Sequence, residues 1–231
     1  MECKHLYPGG PLYSGDAVST DTLALASFIR SDSARRGVEL GCGSGLLMLT
    51  LLFSHPALSM TGADIREEAV SQARRNLAAN SFESRGTVLL SDYRALPLPK
   101  GSFDLVCANP PYFPASAAAS PDARRDTMRR ESATLAETAA VASSLLRPGG
   151  SFSLVHRAER MAEVFAALRE VSLEPKRLRL FSARAESAPS LFFLEARKGA
   201  HAGLVLEPLL YQFTSSGAET EEYRKLCHWE A

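Results

Sequence analysis

The chain has 231 residues, with 26 lysines and arginines against 26 aspartates and glutamates and 45% hydrophobic residues. That length suits one α/β domain with a sizeable core, and the cancelled charge excludes a global field for nucleic acid or membrane, so such a partner must be met by a local patch. The opening Met1-Glu2-Cys3-Lys4-His5 has no apolar signal core, no apolar run nears the ~20 residues of a membrane span, and Cys3, Cys42, Cys107 and Cys227 form no CxxC or metal spacing, which predicts a cytoplasmic protein without disulfides or metal.

Residues 1–18 are rich in Pro, Gly and Ser and predict an irregular arm able to fold over a cleft. Ser19-Thr20-Asp21 then caps a helix to about residue 30, with Leu23, Leu25, Phe28 and Ile29 apolar. A buried strand over 37–40 runs into Gly41-Cys42-Gly43-Ser44-Gly45 and an apolar helix over 46–53. The next strand, 58–63, ends at Asp64 and is followed by an amphipathic helix over 66–80. A strand over 87–90 ends at Ser91-Asp92. The apolar run 103–108 predicts a fourth strand, which ends at Asn109-Pro110-Pro111-Tyr112-Phe113.

Residues 114–130, rich first in Ala and Ser and later in Arg, predict a mobile substrate loop. A helix over 131–146 is expected to stop at Arg147-Pro148-Gly149-Gly150, followed by a strand over 152–156 and a helix over 158–171. Strand-length runs at 178–181 and 191–195 suggest a terminal antiparallel hairpin, and a helix-like acidic end covers 219–229. The sum is a single Rossmann-like α/β domain over 1–231, with a seven-stranded doubly wound sheet.

The glycine loop reads GxGxG, but Leu46 and Leu47 follow, so the dinucleotide pattern GxGxxG is not met and there is no phosphate-binding lysine. Close backbone approach without a phosphate cradle suits S-adenosylmethionine. Asp64 stands where an acidic side chain can accept from both ribose hydroxyls, Asp92 is placed for an adenine amino group, and Glu39 is placed to orient the loop or the methionine ammonium. Each acid alone is equally a strand-end cap; their occurrence at successive strand ends is the signal.

Asn109-Pro110-Pro111-Tyr112 is the candidate catalytic turn. Prolines lack an N–H, so neighbouring carbonyls are released from the ladder, and the residue before each proline is held extended. The result is a stiff corner offering an amide oxygen, a carbonyl and an aromatic ring to a planar –NH2 acceptor.

These residues resemble class I S-adenosylmethionine-dependent methyltransferases that act on exocyclic or amide nitrogen. Val18 to Ala26, Leu146 to Arg157, Leu173 to Arg179 and Glu195 to Gly199 are similar to the bacterial tRNA adenine-N6 methyltransferases that modify a valine tRNA beside its anticodon. The resemblance implies that Gly41, Gly43, Gly45, Asp64, Asp92 and Asn109 face the cofactor, and that Asn109 and Tyr112 receive the adenine. It also implies that the arm around Thr20 and Asp21 closes over the site.

For RNA, the local candidates are Phe113 with Arg124, Arg125, Arg129 and Arg130, and a second cluster of Lys176, Arg177, Arg179 and Arg184. Protein glutamine-N5, rRNA guanine-N2 and DNA adenine transfer share the –NH2 chemistry. A non-catalytic cofactor- or RNA-binding relative and an NAD-dependent oxidoreductase are the readings from other classes.

Overall fold

The computed structural model describes residues 4–7, 9–15, 18–110 and 133–228. In place of an irregular arm, Lys4–His5 (β1) and Leu12–Tyr13 (β2) form a short antiparallel pair. Thr20–Phe28 (α1) follows, with Ser19 Oγ accepting from Thr22 N at its start. Next come Arg36–Leu40 (β3), Leu46–Ser54 (α2), Ser59–Asp64 (β4), Glu67–Ala79 (α3), Gly86–Leu90 (β5) and Phe103–Ala108 (β6). After the undescribed stretch the chain continues as Leu135–Leu145 (α4), Leu146–Arg157 (β7), Met161–Glu170 (α5), Leu173–Ser182 (β8) and Leu191–Lys198 (β9). Val205–Leu206 (β10), Leu210–Tyr211 (β11) and Glu221–His228 (α6) complete it.

The main sheet runs β10-β8-β9-β7-β6-β3-β4-β5, with β11 also on β8. Strands β3 to β7 are mutually parallel and β9 is antiparallel to both neighbours. The expected terminal hairpin is therefore present as β8–β9, longer than the apolar runs alone suggest, and β10 and β11 extend the sheet beyond seven strands by parallel pairing on β8. Helices α1, α2, α3 and α6 contribute to one apolar cluster and α4 and α5 to the other, so the sheet is covered on both faces. Double burial explains why most of β6 and the first half of β9, Leu191 to Leu194, read as apolar runs rather than alternations.

The Arg147-Pro148-Gly149-Gly150 segment does end helix α4, yet it lies within β7. Leu146 pairs with Phe103 and Ser151 with Leu105, so the intervening residues bulge. Pro148 has no N–H for the ladder and Gly149 sits at φ 77°, which a bulge tolerates and a regular strand does not.

The second basic cluster is largely structural. Arg177 is buried beside Glu195, donates to the Phe28 carbonyl at the end of α1, and pairs with Glu207 at 2.9 Å. Its guanidinium stacks 4.0 Å from the Phe28 ring centroid. Arg179 donates to the Pro208 carbonyl at 3.0 Å and pairs with Glu222, and Lys176 donates to the His201 carbonyl. These side chains tie α1 and the tail to β8, leaving Arg184 of that cluster over the Phe213 ring. Replacing Arg177 with Ala strips Glu195 of a buried partner, and the expected cost is ~3–5 kcal/mol in urea unfolding.

Candidate active site

The sheet order reverses between β3 and β6, since β4 and β5 lie to one side and β6 and β7 to the other. That places a crevice at the carboxyl ends of β3 and β6, where open α/β sheets bind ligands. Glu39 pairs with Cys107, so the chain leaves the two strands, toward Gly41 and toward Asn109, at the same edge of the sheet.

The glycine loop is fixed from below and open above. The N–H groups of Gly41 and Cys42 both donate to the Ala63 carbonyl at 2.9 Å, and Gly43 N donates to Asp64 Oδ2 at 2.8 Å. Gly41 has φ 73°, and a Cβ there would meet nothing within 4 Å, so its open side faces space. Gly45 has φ 81° and caps α2, and a Cβ would come within 3.1 Å of Ala73, so the close approach of α3 also requires glycine.

Gly45 offers α2 no side-chain cap. The Glu39 carboxylate does that work from β3, accepting from Met48 N at 3.0 Å. Burial pushes the Glu39 carboxyl well above its ordinary value, opposed by the Met48 N–H and assisted by the charge of Asp64. The contact the structure shows for Glu39 is with the start of α2, the helix that follows the glycine loop. Cys42 and Cys107 are buried, and burial raises both thiols well above the ordinary range, which makes them packing groups.

Asp64 is 6% exposed and also accepts from Arg66 N and the Arg66 guanidinium. Asp92 caps the turn at Tyr93–Ala95 and is held by Arg94, whose side-chain hydrogen bond is the main cause lowering its pKa. Ile65 and Leu90 follow or precede these acids at the strand ends and are 54% and 50% exposed. Both stand beside the acids at the carboxyl ends of β4 and β5.

On the other side of the crevice, Asn109 Nδ2 donates to Thr22 Oγ1 at 2.8 Å. Thr22 lies in the first turn of α1, after Thr20, which is exposed at the start of that helix, and Asp21. The side chain of Thr22 is buried, and no local motif connects it to a residue 87 positions away. Pro110 borders a cavity of about 10 Å³ among Leu135, Phe152, Leu154 and Val164, no larger than one water. A larger cavity of about 230 Å³ lies away from this turn, between Phe28, Arg30, Arg177 and Leu210. Pro111, Tyr112, Phe113, Arg124, Arg125, Arg129, Arg130 and the expected loop over 114–130 lie outside the described residues.

The arm is pinned by two asparagines four apart, Asn76 on α3 and Asn80 at its C-cap. Asn76 exchanges hydrogen bonds with Ser14 N and the Ser14 carbonyl and donates to the Ser44 carbonyl in the glycine loop, while Asn80 exchanges a pair with Leu12. Tyr13 and Ser44 hydroxyls meet at 2.6 Å. The sequence signal for this docking is faint, an i, i+4 Asn pair on a buried helix face.

Among the described residues there is no cluster of His, Cys, Asp and Glu able to hold a metal, and no helix long and apolar enough to cross a membrane. A glycine loop and acidic strand ends on one side of the switch point, with an Asn-Pro turn on the other, define a methyltransferase of the open α/β kind. The family profile described as methyltransferase small domain matches residues 7–174. The chain belongs to that family.

A tRNA1(Val) (adenine(37)-N6)-methyltransferase of Parabacteroides distasonis is 28% identical over 220 residues, 90% of this chain and 91% of that one. The protein of the same name from Aeromonas hydrophila is 32% identical over 60% of this chain and 58% of its own length. Among solved structures, a predicted O-methyltransferase from Agrobacterium tumefaciens superposes with TM-score 0.73 at 24% identity, covering 90% of this chain and 95% of that one. Geranyl diphosphate C-methyltransferase from Streptomyces coelicolor, solved with S-adenosyl-L-homocysteine, gives 0.57 at 12% identity over 76% of this chain and 77% of that one. Both share the fold.

His156, at the carboxyl end of β7, accepts from Arg157 N through Nδ1. Burial, reinforced by the nearby charge of Arg160, lowers its pKa from 6.5 to about 4. Between those values the unfolded chain binds a proton that the folded chain refuses, so stability falls as pH drops through the window. From pH 7.5 to pH 5, His156→Gln is expected to lose ~2 kcal/mol less than the wild type in urea unfolding.

Proposed function

We propose that the chain transfers the methyl group of S-adenosylmethionine to the exocyclic N6 amine of an adenine in tRNA. The observation that carries this reading is the pairing, across one switch-point crevice, of a phosphate-free glycine loop and acidic strand ends with the Asn109-Pro110 corner. The names of the relatives support the acceptor.

S-adenosylmethionine supplies a sulfonium carbon whose bond to sulfur breaks as the amine nitrogen attacks. On the cofactor side, Gly41, Gly43 and Gly45 give close main-chain approach, Asp64 accepts from the ribose hydroxyls, and Asp92 accepts from the adenine amino group. Ile65 and Leu90 form the apolar floor, while Glu39 holds the start of α2 in place. Thr20 and Asp21 close over the site from the first turn of α1.

On the acceptor side, the amide oxygen of Asn109 and the carbonyl of Pro110 accept the two N–H bonds of the adenine amine. They thereby aim its lone pair and stabilise the positive charge developing on nitrogen. The nitrogen then sheds a proton to solvent. Tyr112 stacks on the base, worth ~1–3 kcal/mol, which offsets the cost of unstacking a loop nucleotide. Phe113, Arg124, Arg125, Arg129 and Arg130 bind the surrounding RNA.

Thr22 positions the amide by accepting from Asn109 Nδ2 at 2.8 Å. Labelled-methyl transfer into separate tRNA, protein and DNA fractions, followed by nucleoside analysis, tests the acceptor. Label as N6-methyladenine in tRNA is expected, and label only in protein or DNA refutes the reading. Asn109→Ala should lower the transfer rate ~100-fold with cofactor affinity nearly unchanged. Thr22→Val should lower kcat ~10-fold, with Thr22→Ser restoring most of it.

A further inference from the structure

Asp64 is saturated. Its Oδ2 accepts from Gly43 N at 2.8 Å and Arg66 Nη2 at 3.3 Å, and its Oδ1 accepts from Arg66 N at 2.9 Å and Arg66 Nε at 3.1 Å. An ionised carboxylate has about four acceptor sites, and here four donors fill them. Two donors are main-chain groups that fix the glycine loop and the start of α3. The other two belong to a side chain that is 37% exposed, and theirs are the longest of the four bonds. A ligand that donates two hydroxyls to Asp64 must therefore take the place of the guanidinium. Arg66 Nη2 also lies 3.7 Å from where a Cβ of Gly43 would stand, so it overhangs the loop itself.

We infer that Arg66 is an affinity-setting residue of the cofactor site, an internal competitor that the ribose diol displaces on binding. The inference rests on the reading of Asp64 as the ribose acceptor. Burial makes the exchange concerted: with Asp64 at 6% exposure, a departing guanidinium would leave a buried charge short of partners, whereas arriving hydroxyls replace both bonds. The same competition works in reverse after transfer, when the guanidinium returns to Asp64 and hastens loss of the spent cofactor, which carries the same diol.

Asp92 repeats the spacing. Arg94, two residues on like Arg66, donates from N at 2.9 Å, from Nε to both oxygens at 3.0 Å, and from Nη2 at 2.6 Å. The two clasps differ in exposure. The Asp92 and Arg94 side chains are 40% and 41% exposed, so water makes good a lost bond, and Arg94 has Glu137 as a second partner at 3.3 Å. Arg66 is accordingly the member that governs affinity.

Calorimetric titration of the full chain with S-adenosylmethionine, adenosine and 2′,3′-dideoxyadenosine tests this. Arg66→Ala is expected to bind S-adenosylmethionine and adenosine at least fivefold more tightly, with dideoxyadenosine unchanged within twofold. Equal or weaker adenosine binding overturns the inference, and so does a gain shared by dideoxyadenosine, which would report cleared space and no competition for Asp64. Asp64→Asn that binds adenosine as the wild type does removes the ribose reading itself, a failure separate from that of Arg66. Should Arg66→Ala not fold, Arg66→Gln, whose single amide cannot bridge both carboxylate oxygens, is read by the same criteria.

Discussion

The hydrogen bond from Gly43 N to the Asp64 carboxylate joins the end of one strand to the loop that follows its neighbour, and the cofactor side of the crevice depends on it. Three glycines at positive φ would otherwise leave the loop free among many conformations. The bond, with the two main-chain donations to the Ala63 carbonyl, removes that freedom from one direction only. The upper side stays open because Gly41 has no side chain to fill it. Glu39 completes the arrangement by capping α2 from the strand, so the helix start and the loop are held by two separate carboxylates.

The acceptor side is held by longer-range means. Helix α1 is gripped at its carboxyl end by Arg177, buried between Glu195 and Glu207, and at its amino end it meets Asn109 through Thr22. The strand β8, its partner β9 and the tail that covers them are thereby linked to the orientation of one amide. Covering β8 with β10 and β11 also removes a long unpaired edge, which explains why so much of the chain after Gly199 packs there without approaching the crevice.

The sequence reveals the two sides unequally. Glycine spacing, strand-end acids and the Asn-Pro turn are local signals, each generated by backbone requirements within a few residues, and they are legible in the order Glu39, Gly41, Asp64, Asp92, Asn109. Strand β6 is legible to its ends because both its faces are buried. What was not legible has a physical cause in each case. Thr22 and Asn109 meet only through tertiary packing. Arg177 and Arg179 look like surface charge in a sequence, because nothing local reveals that Glu195, Glu207 and Glu222 converge on them. The bulge at Pro148 and Gly149 looks like a loop, since the residues that forbid a helix also forbid a regular strand and leave the irregular strand undetected.

Two modes of support imply two modes of failure. On the cofactor side the supporting groups are mainly backbone N–H donors and buried carboxylates within the first three βα units, so disturbing them alters ligand affinity and local folding together. On the acceptor side the buried hydroxyl of Thr22 carries the placement of α1 to Asn109. Displacing α1 by loosening its anchor on β8 would misalign the amide while leaving Gly41, Gly43 and Asp64 bonded as before. On the proposed reading, a shift there turns the amide oxygen of Asn109 away from the amine it holds and lowers the transfer rate while leaving cofactor affinity intact. On that reading the remote ion pairs of β8 bear on the chemistry of the turn through α1.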